Sequence, residues 1–340
     1  MPILRTFSIP TYRSAKGRWL VLALLAALLL ATAYLSLRCG SQNYTLLEML
    51  TAAPDTTPRR ILLHARIPRT LAALLAGCAL ALAGALIQAV LNNAMASPNV
   101  IGVNAGAGFF AMLMAVLLPG AAGITPMASF LGAFGTALFI YLLALRAGLS
   151  RTTLILAGIA VSSILTAGIN TITLLFPDTV VGATGFMLGG FSGVTLAVVL
   201  RAVPYLALGT LLAALLAVDL NVLQLGEESA ASLGLHVSRV RLLAILASAL
   251  LAGAAVSFAG LLSFVGLLVP HMARRLVGGD NRWLLPSAAL LGGSFVLACD
   301  VLARVLFAPF EFPVGIVMSL LGGPFFLHLL MRRKRGRVYD

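Results

Sequence analysis

The 340-residue chain has too few charged residues to be a water-soluble protein. Hydrophobic residues make up 61% of it, charged residues only 10%, and its mean hydropathy is +1.06. A soluble domain carries about 25% charged residues, so most of this chain must face lipid. A net charge of +13 would favour nucleic-acid binding in a soluble protein. Here the basic residues lie between or at the ends of apolar runs, so we predict no nucleic-acid partner.

Ten apolar runs are long enough to be transmembrane helices, since a bilayer core about 30 Å thick needs about 20 apolar residues per helix. The first run is too long for a signal peptide, and its flank Leu37-Arg38-Cys39 lacks a small-residue cleavage site, so we predict a retained helix. The predicted spans are 19–37, 68–91, 98–118, 124–145, 152–176, 195–218, 240–259, 262–277, 284–305 and 314–331. Polar or Pro/Gly-rich connections, including 41–66 and 177–193, separate them. The eighth span is short, and a re-entrant or half-buried helix is the alternative there.

The basic residues predict the orientation of the chain. With the N-terminus inside, sixteen of the 23 lysines and arginines lie on the cytoplasmic side and seven on the outer side. The positive-inside rule then places both termini in the cytoplasm. The predicted organisation is a cytoplasmic tail at 1–18, one transmembrane domain at 19–331 and a basic cytoplasmic tail at 332–340.

An internal repeat relates the second and seventh predicted helices. Residues 75–84 and 251–260 are identical at six of ten positions, and both segments carry two glycines seven residues apart. Such glycines share one helix face and allow a neighbouring backbone to approach closely. The four predicted packing glycines are Gly77, Gly84, Gly253 and Gly260. Because the two helices would cross in opposite directions, the pattern indicates an inverted repeat, a transporter architecture; the alternative is chance similarity between two Ala/Leu-rich helices.

The chain lacks the residues that most enzymes and ion-coupled transporters need. It has no phosphate-binding Gly-x-x-x-x-Gly-Lys-Ser/Thr loop, its four histidines are scattered, and its three cysteines have no paired spacing. We predict no catalytic residue, no metal site and no cofactor in this chain. Of its ten acidic residues, only Asp300 lies within a span, four residues before Arg304. An ion pair between them is the favoured interpretation, and a proton relay is the alternative. The energy for transport must then come from a partner.

A short amphipathic segment on the predicted cytoplasmic side is a candidate contact for that partner. Glu227 and Glu228 suit the first turn of a helix, and Gly234 suits its end. A surface helix between two spans can transmit a push from a soluble motor subunit. A solvated connector without such a role is the alternative. The predicted contact residues are Leu225, Gly226, Glu227, Glu228, Ala231, Leu233 and Gly234.

Several long motifs, in order along the chain, resemble the signature of FecCD-type ABC-importer permeases, which carry iron chelates, haem and vitamin B12. They are Arg66-Ile-Pro-Arg-Thr-Leu71, Gly84-Ala-Leu-Ile-Gln88, Asn93-Ala-Met-Ala-Ser-Pro98, the segment 225–234, Phe264-Val-Gly-Leu-Leu-Val-Pro-His271, Pro313-Val-Gly-Ile316 and Gly322-Gly-Pro-Phe325. The likeness covers the chain after its first helix. Asn93-Ala-Met-Ala departs from the family's common Asn-Pro-Leu-Ala, so the family's local turn need not be kept there.

The resemblance implies an all-α type II ABC-importer fold of about ten helices with an internal inverted repeat. It implies three kinds of partner: a cytoplasmic ATPase dimer that binds ATP and Mg²⁺, an extracytoplasmic binding protein, and a second permease copy or paralogue. Arg66, Arg69 and Arg304 match outward arginines that receive acidic residues of the binding protein; the alternative for Arg66 and Arg69 is that they only anchor a helix end at the lipid headgroups. Residues 225–235 match the family's ATPase-contacting helices.

The expected function is import of a ferric siderophore or related iron chelate across a bacterial cytoplasmic (inner) membrane. The expected path runs along the interface of a homodimer or heterodimer, and ATP is hydrolysed in the partner rather than in this chain. Haem and cobalamin are alternative substrates. An ion-coupled secondary transporter is the main alternative of another class, and a membrane-embedded enzyme is a second.

Overall fold

A computed structural model describes residues 14–40, 44–121, 123–148, 150–306 and 310–335, and the regular structure within these ranges is helical throughout. The first half contains α1 (Ala15–Arg38), α2 (Leu46–Thr51), α3 (Thr57–Ile61), a π-helical turn (Leu62–Arg66), α4 (Ile67–Val90), a 3₁₀ turn (Pro98–Ile101), α5 (Val103–Leu117), α6 (Thr125–Arg146) and α7 (Arg151–Leu175). The second half contains α8 (Pro177–Leu188), α9 (Leu196–Leu215), α10 (Ala217–Leu223), α11 (Glu227–Ser232), α12 (Val237–Ala259), α13 (Val265–Val277), α14 (Asn281–Val305) and α15 (Val314–Arg335).

Each predicted span coincides with one helix, and the prediction of an all-α, multi-pass membrane fold is confirmed. Among the described residues, seven helices are long and apolar enough to cross a membrane, and α5 and α15 contribute shorter apolar segments. The eighth span is α13, whose 13 residues extend about 20 Å. That length is well short of a bilayer core of about 30 Å.

The structure differs from the predicted connections and tails. The connection 177–193 contains α8, and 41–66 contains α2, α3 and the π-helical turn. Helix α1 already begins at Ala15, within the predicted tail 1–18, and α15 continues to Arg335. The rest of those two tails, residues 1–13 and 336–340, lies outside the described residues.

Helix α4 forms the centre of the bundle because its small side chains let three neighbours approach its backbone. A Cβ atom added at Gly77 would overlap the backbone of Gly292 in α14, and one added at Gly84 would overlap Gly266 in α13. On the third side, the Ser248 hydroxyl of α12 donates a hydrogen bond of 3.1 Å to the Ala83 carbonyl. Close backbone packing through small residues is the usual way in which membrane helices associate.

The two repeat helices, α4 and α12, run in opposite directions. The start of α4 and the end of α12 lie together, since Arg69 and Ala259 line one cavity. Gly253 faces Ala133 and Phe130 of α6, with 3.3 Å between a built Cβ and the Ala133 Cβ. Gly260 packs against the end of α8, since a Cβ added there would overlap the Phe186 carbonyl oxygen, and it also ends α12. It follows the last residue of α12 with a φ of 68°, a left-handed conformation that lets the chain leave the helix.

We expect Gly84→Val to prevent stable folding, because the new side chain would have to displace the Gly266 backbone. Overpacking of this kind costs about 1–3 kcal/mol when side chains can yield, and a backbone contact yields less. The measurement is the melting temperature and the yield of monodisperse protein in detergent. Gly135→Val is the matched control, since a Cβ at Gly135 meets nothing within 4 Å. Equal melting of the two variants would contradict the expectation.

Candidate functional sites

Four charged side chains, three of them buried, form a cluster where α4 begins and α14 ends. The Asp300 carboxylate has no solvent exposure. It accepts a hydrogen bond of 2.9 Å from Arg69 and forms an ion pair with Arg304, also at 2.9 Å. Arg69 also donates to Glu311 at 2.7 Å, just before α15. We call Arg69, Asp300, Arg304 and Glu311 the arginine cluster, and the end of the bundle that contains it the arginine end.

The arginine cluster joins four separate segments of the chain. Arg304 donates to the Cys39 carbonyl at 2.8 Å and to the Ser36 hydroxyl at 3.0 Å. These hydrogen bonds attach the end of α1 to α14. Arg66 donates to the carbonyls of Leu37 and Arg38 at 2.8 and 2.7 Å. Buried charges remain ionised only when they are paired and hydrogen-bonded, and every member of the cluster meets this condition. Its geometry is that of a structural joint between α1, α4, α14 and the segment before α15.

The interpretation of Asp300 and Arg304 as an ion pair agrees with this geometry. A proton relay does not, because two guanidinium groups hold the Asp300 carboxylate. The contribution of Arg69 was missed, since it lies 231 residues from Asp300. The placement also differs from the prediction that Arg66, Arg69 and Arg304 are outward docking residues. All three are buried, at 3%, 9% and 4% exposure, and are bound to groups of this chain.

Glu311 is the most exposed member of the arginine cluster and lies between α14 and α15. Burial raises the pKa of its carboxyl, but the hydrogen bond and the charge of Arg69 lower the pKa by more, so it stays below its ordinary value. A carboxyl with a lowered pKa stabilises the fold above its unfolded pKa of about 4.3. This contribution is lost as the pH falls through the lowered value in the folded protein.

We therefore expect acidification below about pH 4.3 to lower the melting temperature of the wild type more than that of Glu311→Gln, which has no carboxyl to protonate. Melting curves in detergent across this pH range measure the difference. Glu228→Gln is the control, because Glu228 is an exposed glutamate at the other end of the bundle. Identical acid sensitivity of wild type and Glu311→Gln would contradict the expectation.

The opposite end of the bundle carries the short helix α11 on its surface. Glu227 and Glu228 lie in its first turn, and Gly234 follows it with a φ of 85°. Leu225 and Leu233 flank the helix with 64% and 67% exposure, so an apolar patch faces away from the bundle. We call this end of the bundle the α11 end.

The Glu227 carboxylate connects α11 to two long helices. It forms ion pairs with Arg241 of α12, which is 2% exposed, and with Arg151 at the first position of α7, at 3.6 Å. The neighbouring Glu228 is exposed. One carboxylate therefore contacts both helices.

A row of polar side chains on α7 lines an open groove. Ser162, Thr166 and Asn170 follow one another at intervals of four residues, which places them on one helix face. Together with Asn99 and Gly158 they line a groove of about 630 Å³. Only 22% of the most apolar part of α7 is buried within this chain, and an exposed asparagine amide is costly to place in hydrocarbon. This groove therefore faces water or another protein surface rather than lipid.

This groove was not identified as a site from the sequence. The four-residue spacing of Ser162, Thr166 and Asn170 in an otherwise apolar helix could have predicted a polar helix face there. Gln88, an amide in α4, has a structural contact instead. Its Nε2 donates to the carbonyls of Gly266 and Leu267 at 3.4 and 3.2 Å. Pro270 cannot supply the helical hydrogen bond to Gly266, so Gln88 replaces it.

The chain is similar to several permeases whose names describe iron uptake. It is 36% identical to the hemin transport system permease protein HmuU of Yersinia pestis, over 94% of this chain and 97% of the relative. It is 39% identical to the ferric enterobactin permease protein FepD of Escherichia coli K12, over 92% and 95%. It is 40% identical to the Fe(3+) dicitrate permease protein FecC of the same strain, over 84% and 87%.

The fold is also similar to a solved structure of a metal-chelate type ABC transporter in an inward-facing conformation. The TM-score is 0.83 at 29% identity, and the match covers 92% of this chain and 99% of that one. The predicted importer-permease fold is thereby confirmed. The sequence model of the FecCD transport family matches residues 26–332. The chain therefore belongs to the FecCD transport family and is a membrane permease subunit.

Proposed function

We propose that this chain is the permease of an ABC importer that carries a ferric siderophore or a related iron chelate into the bacterial cytoplasm. The observation that carries this proposal is the polar groove on α7. Small-molecule sites measure about 300–1,000 Å³. The groove, of about 630 Å³, is lined by hydroxyls and amides among apolar side chains such as Ile155 and Ile159, without a charged side chain. Such a surface binds a bulky chelate weakly enough to release it. A second permease copy, or a paralogue, facing this groove would enclose the path.

The orientation and the partners follow from the same proposal. The distribution of basic residues favours cytoplasmic termini in the inner membrane, which places the α11 end in the cytoplasm and the arginine end outside. The apolar patch around α11, with Leu225 and Leu233, is the surface proposed for the ATPase dimer that binds ATP and Mg²⁺. The binding protein would approach the arginine end. Exposed basic side chains such as Arg38 and Arg60 suit an acidic partner surface there.

Uptake into proteoliposomes tests the proposal. The vesicles contain the permease, with the ATPase and binding protein encoded beside it, and the probes are labelled ferric enterobactin, ferric citrate, hemin and cobalamin. We expect uptake of one ferric chelate that requires ATP inside the vesicles and persists with a protonophore. Preferred uptake of hemin or cobalamin would show that the substrate is hemin or cobalamin instead of the proposed ferric chelate. Uptake by the permease alone, abolished by the protonophore, would support a secondary transporter and overturn the proposal.

A further inference from the structure

A pocket between α6, α9 and α12 shares no lining residue with the groove of α7. Its walls are mostly apolar and aromatic, and one cationic side chain lies at its rim. The pocket holds about 100 Å³, and an apolar cavity of about 150 Å³ accommodates a benzene ring. It can therefore hold several methylene groups of a chain. Its lining includes Met127 and Phe130 of α6, Arg201, Ala202 and Tyr205 of α9, and Ala254 of α12.

The outer face of α9 around this pocket is apolar, so it lies against hydrocarbon. Its exposed side chains include Leu200, Val203, Leu208, Leu211 and Leu215. The pocket opens between this face and α6. The Phe130 and Tyr205 rings form one wall, with their centroids 4.7 Å apart. An apolar slot on a lipid-facing surface suits an acyl chain better than a polar solute.

Arg201 is the exception on this face, since its side chain is exposed and contributes to the pocket rim. It is the sixth residue of α9, about 8 Å along the helix from its start. Pro126 and Ser257, near the start of α6 and the end of α12, line the same pocket. The pocket therefore lies close to the arginine end, at the depth of lipid headgroups. An arginine at this depth extends toward the interface, and a phosphate is its best partner there because a guanidinium binds phosphate oxygens through two hydrogen bonds.

We propose that this pocket is a binding site for one anionic phospholipid. The headgroup phosphate accepts hydrogen bonds from Arg201, and the upper part of an acyl chain lies in the slot between Phe130, Tyr205 and Ala254. In a zwitterionic lipid, the headgroup ammonium offsets the phosphate charge. An anionic lipid has no such ammonium group, so its phosphate can neutralise the Arg201 charge fully. An anionic lipid is therefore favoured over a zwitterionic one. The site is separate from the groove of α7 and does not depend on the substrate that the permease carries.

Native mass spectrometry of the full-length protein in detergent tests this site. The protein is titrated with phosphatidylglycerol or phosphatidylcholine carrying the same acyl chains. We expect one phosphatidylglycerol to be retained in preference to phosphatidylcholine. Arg201→Gln should lower phosphatidylglycerol retention at least tenfold, to the level of phosphatidylcholine, with an unchanged melting temperature. Ala202→Phe, which fills the slot, should lower the retention of both lipids.

Arg38→Gln is the matched control, because Arg38 is also exposed at the arginine end but does not line the pocket. It should retain phosphatidylglycerol as the wild type does. Equal retention by Arg201→Gln and the wild type would overturn the proposal. So would equal binding of the two lipids by the wild type, which indicates a general lipid shell, or an equal loss in Arg38→Gln, which indicates attraction to overall surface charge.

Discussion

Replacing Asp300 with alanine is expected to destabilise the protein by about 3–5 kcal/mol, the cost of breaking a buried ion pair. The carboxylate has no solvent exposure and lies between Arg69 and Arg304 at 2.9 Å from each. Its removal leaves two buried cations next to each other, and only Glu311 remains to neutralise them. The measurement is the melting temperature and the denaturant midpoint of the purified protein in detergent.

The exposed ion pair of Asp55 and Arg60 provides the control. Its atoms are 3.8 Å apart and the Asp55 side chain is 99% exposed, so Asp55→Ala should change stability by less than about 1 kcal/mol. Asp300→Asn, which keeps the shape of the side chain but loses its charge, should resemble Asp300→Ala. A melting temperature of Asp300→Ala equal to that of Asp55→Ala would show that the arginine cluster is not a structural joint.

Neutralising Glu227 should disconnect ATP hydrolysis from transport, given the proposed ATPase partner. The Glu227 carboxylate pairs with Arg151 of α7 and with the buried Arg241 of α12. In Glu227→Gln the charge that holds α11 against both helices is lost. We expect ATP-driven uptake in proteoliposomes to fall at least tenfold while the assembled complex still hydrolyses ATP.

Glu228→Gln is a closely matched control, since the two glutamates are adjacent in the first turn of α11 and Glu228 is exposed. It should transport at the wild-type rate. If the two variants transport equally well, α11 does not act through its ion pairs. The apolar patch at Leu225 and Leu233, proposed to bind the ATPase, is unchanged in Glu227→Gln, so this variant should still bind the ATPase. Loss of that binding would also contradict the expectation.

Features that depend on a single segment could be predicted from the sequence. Span lengths follow from hydrophobic runs, and the first turn and the end of α11 follow from Glu227, Glu228 and Gly234. The pairing of Asp300 with Arg304 follows from their four-residue spacing. Helix α8 was missed because Pro177, Asp178 and Gly185 are typical of loops. Tertiary contacts, such as the hydrogen bond from the Leu261 amide to the Phe186 carbonyl, help to hold it.

Features that join distant segments could not be predicted. Nothing local indicates that Arg69 reaches Asp300 and Glu311, because helix packing alone brings them together. The burial of Arg66 could not be predicted for the same reason. A basic run before a span was interpreted as an exposed surface, whereas carbonyl groups at the end of α1 draw its side chain inward.

The direct backbone contacts of α4 restrict how the subunit can move. Gly77 against Gly292 and Gly84 against Gly266 leave no side-chain layer between the helices, so these helices cannot slide past one another as they do in shear motions. If a second permease copy is present as proposed, alternation between the two faces of the membrane would come from each subunit tilting as a rigid block against the other. Small hinges at the block's periphery would accommodate the tilt.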